Sequence, residues 1–129
     1  MAFTVSGLSH AAIRVTDLPR SRQFYSELLG FPPVFEAEGV VVLKVGEALL
    51  GVRGGALETP AEDRFDPFRV GLDHLSFAVD SEEQLHEMKR ALDAAGVHNE
   101  GIKDDIFDAK ALVFYDPDGI ALELFALPR

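Results

Sequence analysis

Two histidines and a glutamate, His10, His74 and Glu123, are the residues of this 129-residue sequence whose types suit one piece of chemistry. Two imidazoles and a carboxylate compose a facial metal triad, which holds a divalent cation and leaves positions open for substrate or oxygen. No short motif joins them, since they lie far apart in the chain. What joins the histidines is a repeat. Leu8 to Val15 reads L-S-H-A-A-I-R-V and Gly71 to Asp80 reads G-L-D-H-L-S-F-A-V-D; at an offset of 64 residues Leu8, His10 and Val15 fall on Leu72, His74 and Val79. A lone strand histidine is more often a hydrogen-bonded core or edge residue than a ligand, but here histidine recurs at the equivalent point of two copies. Only the second copy adds an acidic partner, Glu123. It sits among Ile120, Leu122, Leu124 and Phe125, where an unpaired carboxylate is costly to bury. A metal would remove that cost, and so would a strand with one solvent-facing side.

The elements that must position these residues follow from periodicity. Residues 8–15 alternate as a strand does. Asp17 can cap a helix with Pro19 in its first turn, Phe24, Tyr25, Leu28 and Leu29 at helical spacing, and Gly30 with Pro32 and Pro33 at its end. Strands are expected over Pro33 to Ala37, Val40 to Val45 and Ala48 to Arg53, with turns at Glu38-Gly39 and Gly46-Glu47. The second copy predicts a strand over Leu72 to Val79 and a helix from Ser81 to Ala95 ending at Gly96. Strands follow over Asn99 to Lys103, Ala111 to Tyr115 and Ile120 to Phe125, the last two joined by Asp116-Pro117-Asp118-Gly119. The fold class is α+β, a single 1–129 domain of two βαβββ units, 7–53 and 71–127. Residues 54–70 connect them, with a lid as a second possible use. Neither unit can easily cover both faces and edges of its own sheet, so the two are expected to pair around a cup.

Composition narrows the partners. The sequence has no cysteine, so disulfides and thiolate metal sites are excluded and ligands must be nitrogen or oxygen. A net charge of −10 without a basic cluster argues against nucleic acid and anionic membranes. The first residues, M-A-F-T-V-S, lack an export signal pattern, and no apolar run approaches the ~20 residues of a membrane span. A soluble cytoplasmic protein with a small-molecule substrate is expected.

Three stretches carry a resemblance: L-S-H-A-A-I-R-V-T-D-L with F-Y-S-E-L-L-G-F, then G-L-D-H-L-S-F-A-V, then F-Y-D-P-D-G-I-A-L-E-L. With them the chain resembles the vicinal oxygen chelate superfamily, which includes glyoxalase I, extradiol dioxygenases, methylmalonyl-CoA epimerases, fosfomycin-resistance transferases and metal-free bleomycin-resistance proteins. The resemblance places the family's metal ligands on His10, His74 and Glu123. A fourth ligand, Glu or Gln in glyoxalase I and the epimerases, would fall near Gly51, which has no side chain to offer. The fosfomycin enzymes carry cup hydroxyls where this chain has Ala12, Ala111 and Val113. The bleomycin-binding members lack the triad, so its presence here counts against sequestration alone.

Strand alternation gives an independent view of the cup. If the triad faces inward, so do Ala12, Arg14, Ser76, Ala78, Ala121 and Phe125, and the parity of Gly51 adds Leu49 and Arg53. Substrate contacts are therefore expected from Arg14, Arg53, Leu49, Gly51, Ser76, Val113, Tyr115 and Phe125. An apolar cup with two arginines suits a small apolar or aromatic anion gripped by a guanidinium; surface salt bridges are the alternative use of both arginines. Tyr115 either reaches into the rim or packs beside its turn. His86 and His98 read as solvated, Asp116 and Asp118 as turn residues, and Gly54-Gly55 is too short for a phosphate loop.

Together these point to a metal-dependent dioxygenase, or a lyase or isomerase, of the glyoxalase type. Ferrous iron is the first expectation, with manganese, nickel, cobalt or zinc as alternatives. No proton-transferring residue is assigned. The rival reading is a protein that sequesters an aromatic compound. The resemblance further implies a homodimer in which His10 of one subunit meets His74 and Glu123 of the other.

Overall fold

The computed structural model describes residues 3–128; Met1, Ala2 and Arg129, at the ends of the expected 1–129 domain, lie outside them. The chain divides into two compact units, Met1–Ala61 and Glu62–Arg129. In the first, strand β1 is His10–Arg14, helix α1 is Leu18–Arg22, and β2 (Pro33–Ala37), β3 (Val40–Val45) and β4 (Ala48–Arg53) follow. The sheet order is β1-β4-β3-β2, with β1 parallel to β4 and the other pairs antiparallel. A parallel pair needs a crossover, which the helix supplies. Asp17 starts it by accepting from the Arg20 backbone N–H.

Alternation divides this sheet. Ile13, Val15, Val41, Leu43, Leu50 and Val52 are buried together with Phe24 and Tyr25. The opposite face carries His10, Ala12 and Arg14 beside Leu49, Gly51 and Arg53, partnered in that order. The expected single α-helix is corrected: α1 ends at Arg22 and continues as a π-helix over Gln23–Leu28. The wider turn lets the neighbours Phe24 and Tyr25 both reach the core, their rings edge to face at 5.0 Å, a distinction that apolar spacing alone does not carry.

The second unit repeats the plan with β5 (Leu75–Val79), α2 (Glu82–Ala94), β6 (Asn99–Asp104), β7 (Lys110–Tyr115) and β8 (Ala121–Ala126) in the order β5-β8-β7-β6. A short 3-10 turn at Ile106–Asp108, which the sequence reading did not contain, joins β6 to β7. α2 opens with a reciprocal cap between Ser81 and Gln84. Leu85, Leu92, Leu112, Phe114, Leu122 and Leu124 form the buried layer.

Four strand starts differ from expectation, β7 and β8 by one residue each, at Lys110 and Ala121, and two by more. β1 begins at His10 and β5 at Leu75, not at Leu8 and Leu72. The β5–β8 ladder begins with Leu75 opposite Leu122, and His74 lies just before the strand. The connecting segment is also not a free lid over its length. Arg64 Nη1 donates to the Pro117 carbonyl at 3.0 Å and the Phe65 N–H to the Asp118 carbonyl at 3.0 Å, which pins residues 64–65 to the β7–β8 turn. That turn is itself tied by Asp116, whose carboxylate accepts the N–H groups of Asp118 and Ile120. Among the described residues, no helix is long and apolar enough to cross a membrane.

Gly119 has φ +82°, and an added Cβ would lie 2.8 Å from Arg64 Nη2. Gly119→Ala is therefore expected to displace Arg64 and to cost about 1–2 kcal/mol in left-handed strain, seen as a lower urea midpoint with an unchanged slope.

Candidate metal centre

Unit 2 brings two of the three expected ligands together. β5 and β8 run parallel with Ser76 opposite Glu123, so both side chains rise from the same face, and the Ser76 hydroxyl donates to Glu123 Oε1 at 2.7 Å. His74, just before β5, points Nε2 at the same oxygen from 3.8 Å. That gap exceeds a hydrogen bond. Behind the ring, Nδ1 lies 2.7 Å from Asp73 Oδ1. This carboxylate favours the tautomer with the proton on Nδ1 and leaves the Nε2 lone pair facing Glu123. Glu123 is only 8% exposed, the sole glutamate among the buried polar residues of the described chain, residues 3–128.

His10 opens β1 on the open face of unit 1, its Nδ1 2.9 Å from the Ser9 hydroxyl. Ser9 and Asp73 occupy equivalent places in the repeat, so each histidine has Nδ1 occupied by the residue before it and Nε2 left over. The sequence reading missed these partners, although the 64-residue offset that aligned the histidines also aligns Ser9 with Asp73. The same offset takes Ser76 to Ala12, whose β4 partner is Gly51. Gly51 thus stands in unit 1 where Glu123 stands in unit 2. A Cβ there would meet Ala12 Cβ at 3.6 Å, an ordinary contact, so packing does not impose the missing carboxylate.

The other expected contact residues divide by unit. Arg14 and Arg53 are register partners on the face of His10, with Leu49 beside His10 itself. Arg14 Nη1 donates to the Gly54 carbonyl at 2.8 Å, and among the described residues neither arginine forms the surface salt bridge considered for it. Val113 pairs with Glu123 and Tyr115 with Ala121, which puts both on the ligand face with Phe125. Ser76, expected to touch substrate, uses its hydroxyl on Glu123. His98 is exposed, as expected, and one face of its ring stacks on Tyr115.

A sequence model described as the Glyoxalase/Bleomycin resistance protein/Dioxygenase superfamily matches residues 7–124. The chain belongs to that superfamily. The protein YaeR of Escherichia coli (strain K12) is 34% identical over 90% of this chain and 92% of its own. The metallothiol transferase FosB of Staphylococcus saprophyticus is 26% identical over 93% of this chain and 76% of its own. Among solved structures, a glyoxylase/bleomycin resistance protein/dioxygenase domain from Frankia sp. EAN1pec superposes with a TM-score of 0.83 at 30% identity, covering 98% of this chain and 95% of that one. Such neighbours share the βαβββ-unit α+β fold.

For a vicinal oxygen chelate protein the donor set in unit 2 fits a divalent cation. An imidazole nitrogen with its proton held on the far side and a nearly buried carboxylate stand 3.8 Å apart, a spacing that two ligands at about 2.0–2.2 Å from one ion can span. Among the described residues no three His, Asp or Glu side chains converge as a ready-made ion site. A carboxylate in an apolar strand that serves an ion should not serve stability. Glu123→Leu in metal-free protein is accordingly expected to leave the urea midpoint unchanged or raise it, whereas Leu122→Ala should cost about 2–5 kcal/mol. A loss of comparable size for Glu123→Leu would make the glutamate structural.

Proposed function

We propose that this protein is a metal-dependent enzyme of the glyoxalase and dioxygenase type, acting on a small apolar or aromatic anion that presents two neighbouring oxygens. The observation that carries the reading is the approach of His74 Nε2 to Glu123 Oε1 with Asp73 behind the histidine. His74 and Glu123 would hold the ion, and His10 would complete the set from unit 1, either of its own chain or of a partner in a homodimer. A bound divalent cation would supply Lewis acidity to adjacent substrate oxygens. Ferrous iron is the first candidate, ahead of manganese, nickel, cobalt or zinc. The relationship to a metallothiol transferase supports a metal; the alanines and valine at Ala12, Ala111 and Val113 speak against the same substrate.

Arg14 and Arg53 support the anionic substrate. Like charges directly across a strand pair repel, and a carboxylate between the guanidiniums would turn that repulsion into two charge-assisted contacts. Both sit in a protein of net charge −10, so the preference is local. A cytoplasmic location is part of the same proposal, and neither nucleic acid nor membrane is an expected partner.

Elemental analysis of protein purified without chelators or a histidine tag, beside His74→Ala, tests the reading. Near-stoichiometric metal that the variant loses supports it, while protein that stays metal-free after anaerobic loading with ferrous iron, manganese, nickel and zinc moves the assignment to ligand sequestration. Sharing across a dimer has its own signature. Mixed dimers of His10→Ala and Glu123→Gln subunits should regain one metal site per dimer if sites are shared, and none if they are not.

A further inference from the structure

Unit 2 carries a second group of ionisable side chains on the face that bears Glu123. Tyr115 Oη donates to Glu100 Oε1 at 2.8 Å. The His98 ring stacks on Tyr115 with centroids 5.1 Å apart and planes within 15°, and its Nε2 lies 3.6 Å from Glu100 Oε1. A bulge in β6 aims Glu100. Asn99 pairs with Phe114 and Ile102 with Leu112, so Glu100 and Gly101 together oppose Val113. Gly101 takes φ +74°, and its N–H is held by the Asn99 side chain. The extra residue keeps both Asn99 and Ile102 on the helix side and leaves Glu100 on the open one, the kind of re-aiming that bulges perform.

The register then relates this group to the candidate centre. Tyr115 pairs with Ala121 from one side of β8. On the other side Leu75, the first residue of β5, pairs with Leu122, and His74 just before it brings Nε2 to 3.8 Å from Glu123 Oε1. Tyr115 thus rises on the same face of the sheet as Glu123, two residues along β8 from its own partner Ala121, and His74 reaches that glutamate from the β5 side.

The geometry points to Tyr115 as the residue that moves a proton for the reaction at His74 and Glu123, with Glu100 as the positioning residue that takes up the displaced proton. It rests on the metal-enzyme reading above. In the forward step a C–H or O–H bond of a substrate over Ala121 breaks and its proton bonds to Tyr115 Oη. The phenolic proton passes to Glu100 Oε1, and the electron pair of the broken bond stays on the substrate. Charge balances, since Glu100 becomes a neutral acid as the substrate becomes an anion. The reverse step returns a proton from Oη while Glu100 gives its own back. The transfers are coupled because Tyr115 does not ionise freely: the hydrogen bond to Glu100, then burial, then the charge of Glu100 hold its phenol above the ordinary value. The other charged groups on this face are His98 just before β6, against Tyr115, Lys103 on β6, Glu123 on β8 and His74 beside it.

The sequence has two tyrosines and no tryptophan, and Tyr25 is fully buried, so near-ultraviolet tyrosinate absorbance follows Tyr115. In metal-free wild type it should titrate above the ordinary value of about 10, and in Glu100→Gln it should fall back to it. Zinc bound at His74 and Glu123 should lower the Tyr115 midpoint by about half a unit or more, and His74→Ala should abolish that shift. Carbon-bound deuterium uptake by hydroxyacetone, a probe with two adjacent oxygens, follows the proton step in zinc-loaded protein. Tyr115→Phe should keep its zinc and lose about 100-fold in exchange rate, and Glu100→Gln should move the pH profile. Equal exchange in wild type and Tyr115→Phe, zero included, overturns the relay, as does a Tyr115 midpoint that bound zinc leaves unmoved. A wild type that takes up neither zinc nor ferrous iron, manganese or nickel overturns the metal reading and the relay with it, which elemental analysis separates from the other two results.

Discussion

Parallel pairing of β5 with β8 is the constraint on which unit 2 depends, because that register sets Ser76 opposite Glu123. Two parallel neighbours cannot be joined by a tight turn, so the chain must cross over, and α2 is the crossover. Once α2 lies on one face, Leu112, Phe114, Leu122 and Leu124 are committed to it. Alternation then commits Ala111, Val113, Ala121 and Glu123 to the other. The acid is thus held in a nearly buried position by the same pairing that builds the core.

Unit 1 solves the same packing problem with different chemistry on the bare face. Ala12 opposite Gly51 replaces Ser76 opposite Glu123, and Arg14 opposite Arg53 follows two residues on. One unit therefore offers a carboxylate with an imidazole, the other two guanidiniums with an imidazole. The helix-facing layers of both remain aliphatic and aromatic. Divergence has fallen on the faces that packing leaves free, as expected when a buried layer tolerates only volume-conserving change.

Legibility followed the strength of the local signal. Strands β2, β3 and β4 were readable to the residue because glycine turns bracket each one. The ends of β1 and β5 were not, since whether residues 8–9 or 72–74 join a ladder depends on how far a distant strand extends. The ligand candidates were legible through the repeat and the resemblance. Asp73 was passed over because an exposed acid beside a histidine looks ordinary until the ring nitrogens are placed. Glu100 was passed over because alternation along 99–103 fails at the bulge, and a bulge is a property of the pair of strands, not of one segment. Arg64 was hidden for a related reason: its partners are backbone carbonyl and glycine atoms of the 116–119 turn, which carry no charge pattern to match.

Charge sets a final condition on the proposed substrate. A protein of net charge −10 repels anions at long range, yet the open face of unit 1 presents Arg14 and Arg53 side by side. At physiological ionic strength the field of distant carboxylates decays over about 8 Å, so an anion at the sheet surface responds mainly to the two guanidiniums beneath it. Selection then operates at contact rather than by steering, and the rate of capture should depend only weakly on salt while the affinity depends on both arginines. The acidic exterior would in turn disfavour large polyanions, whose charges extend past the arginines into the repulsive field. A small monoanion fits both conditions, and its apolar remainder can lie against Leu49 and the valines of β3 that share the same face.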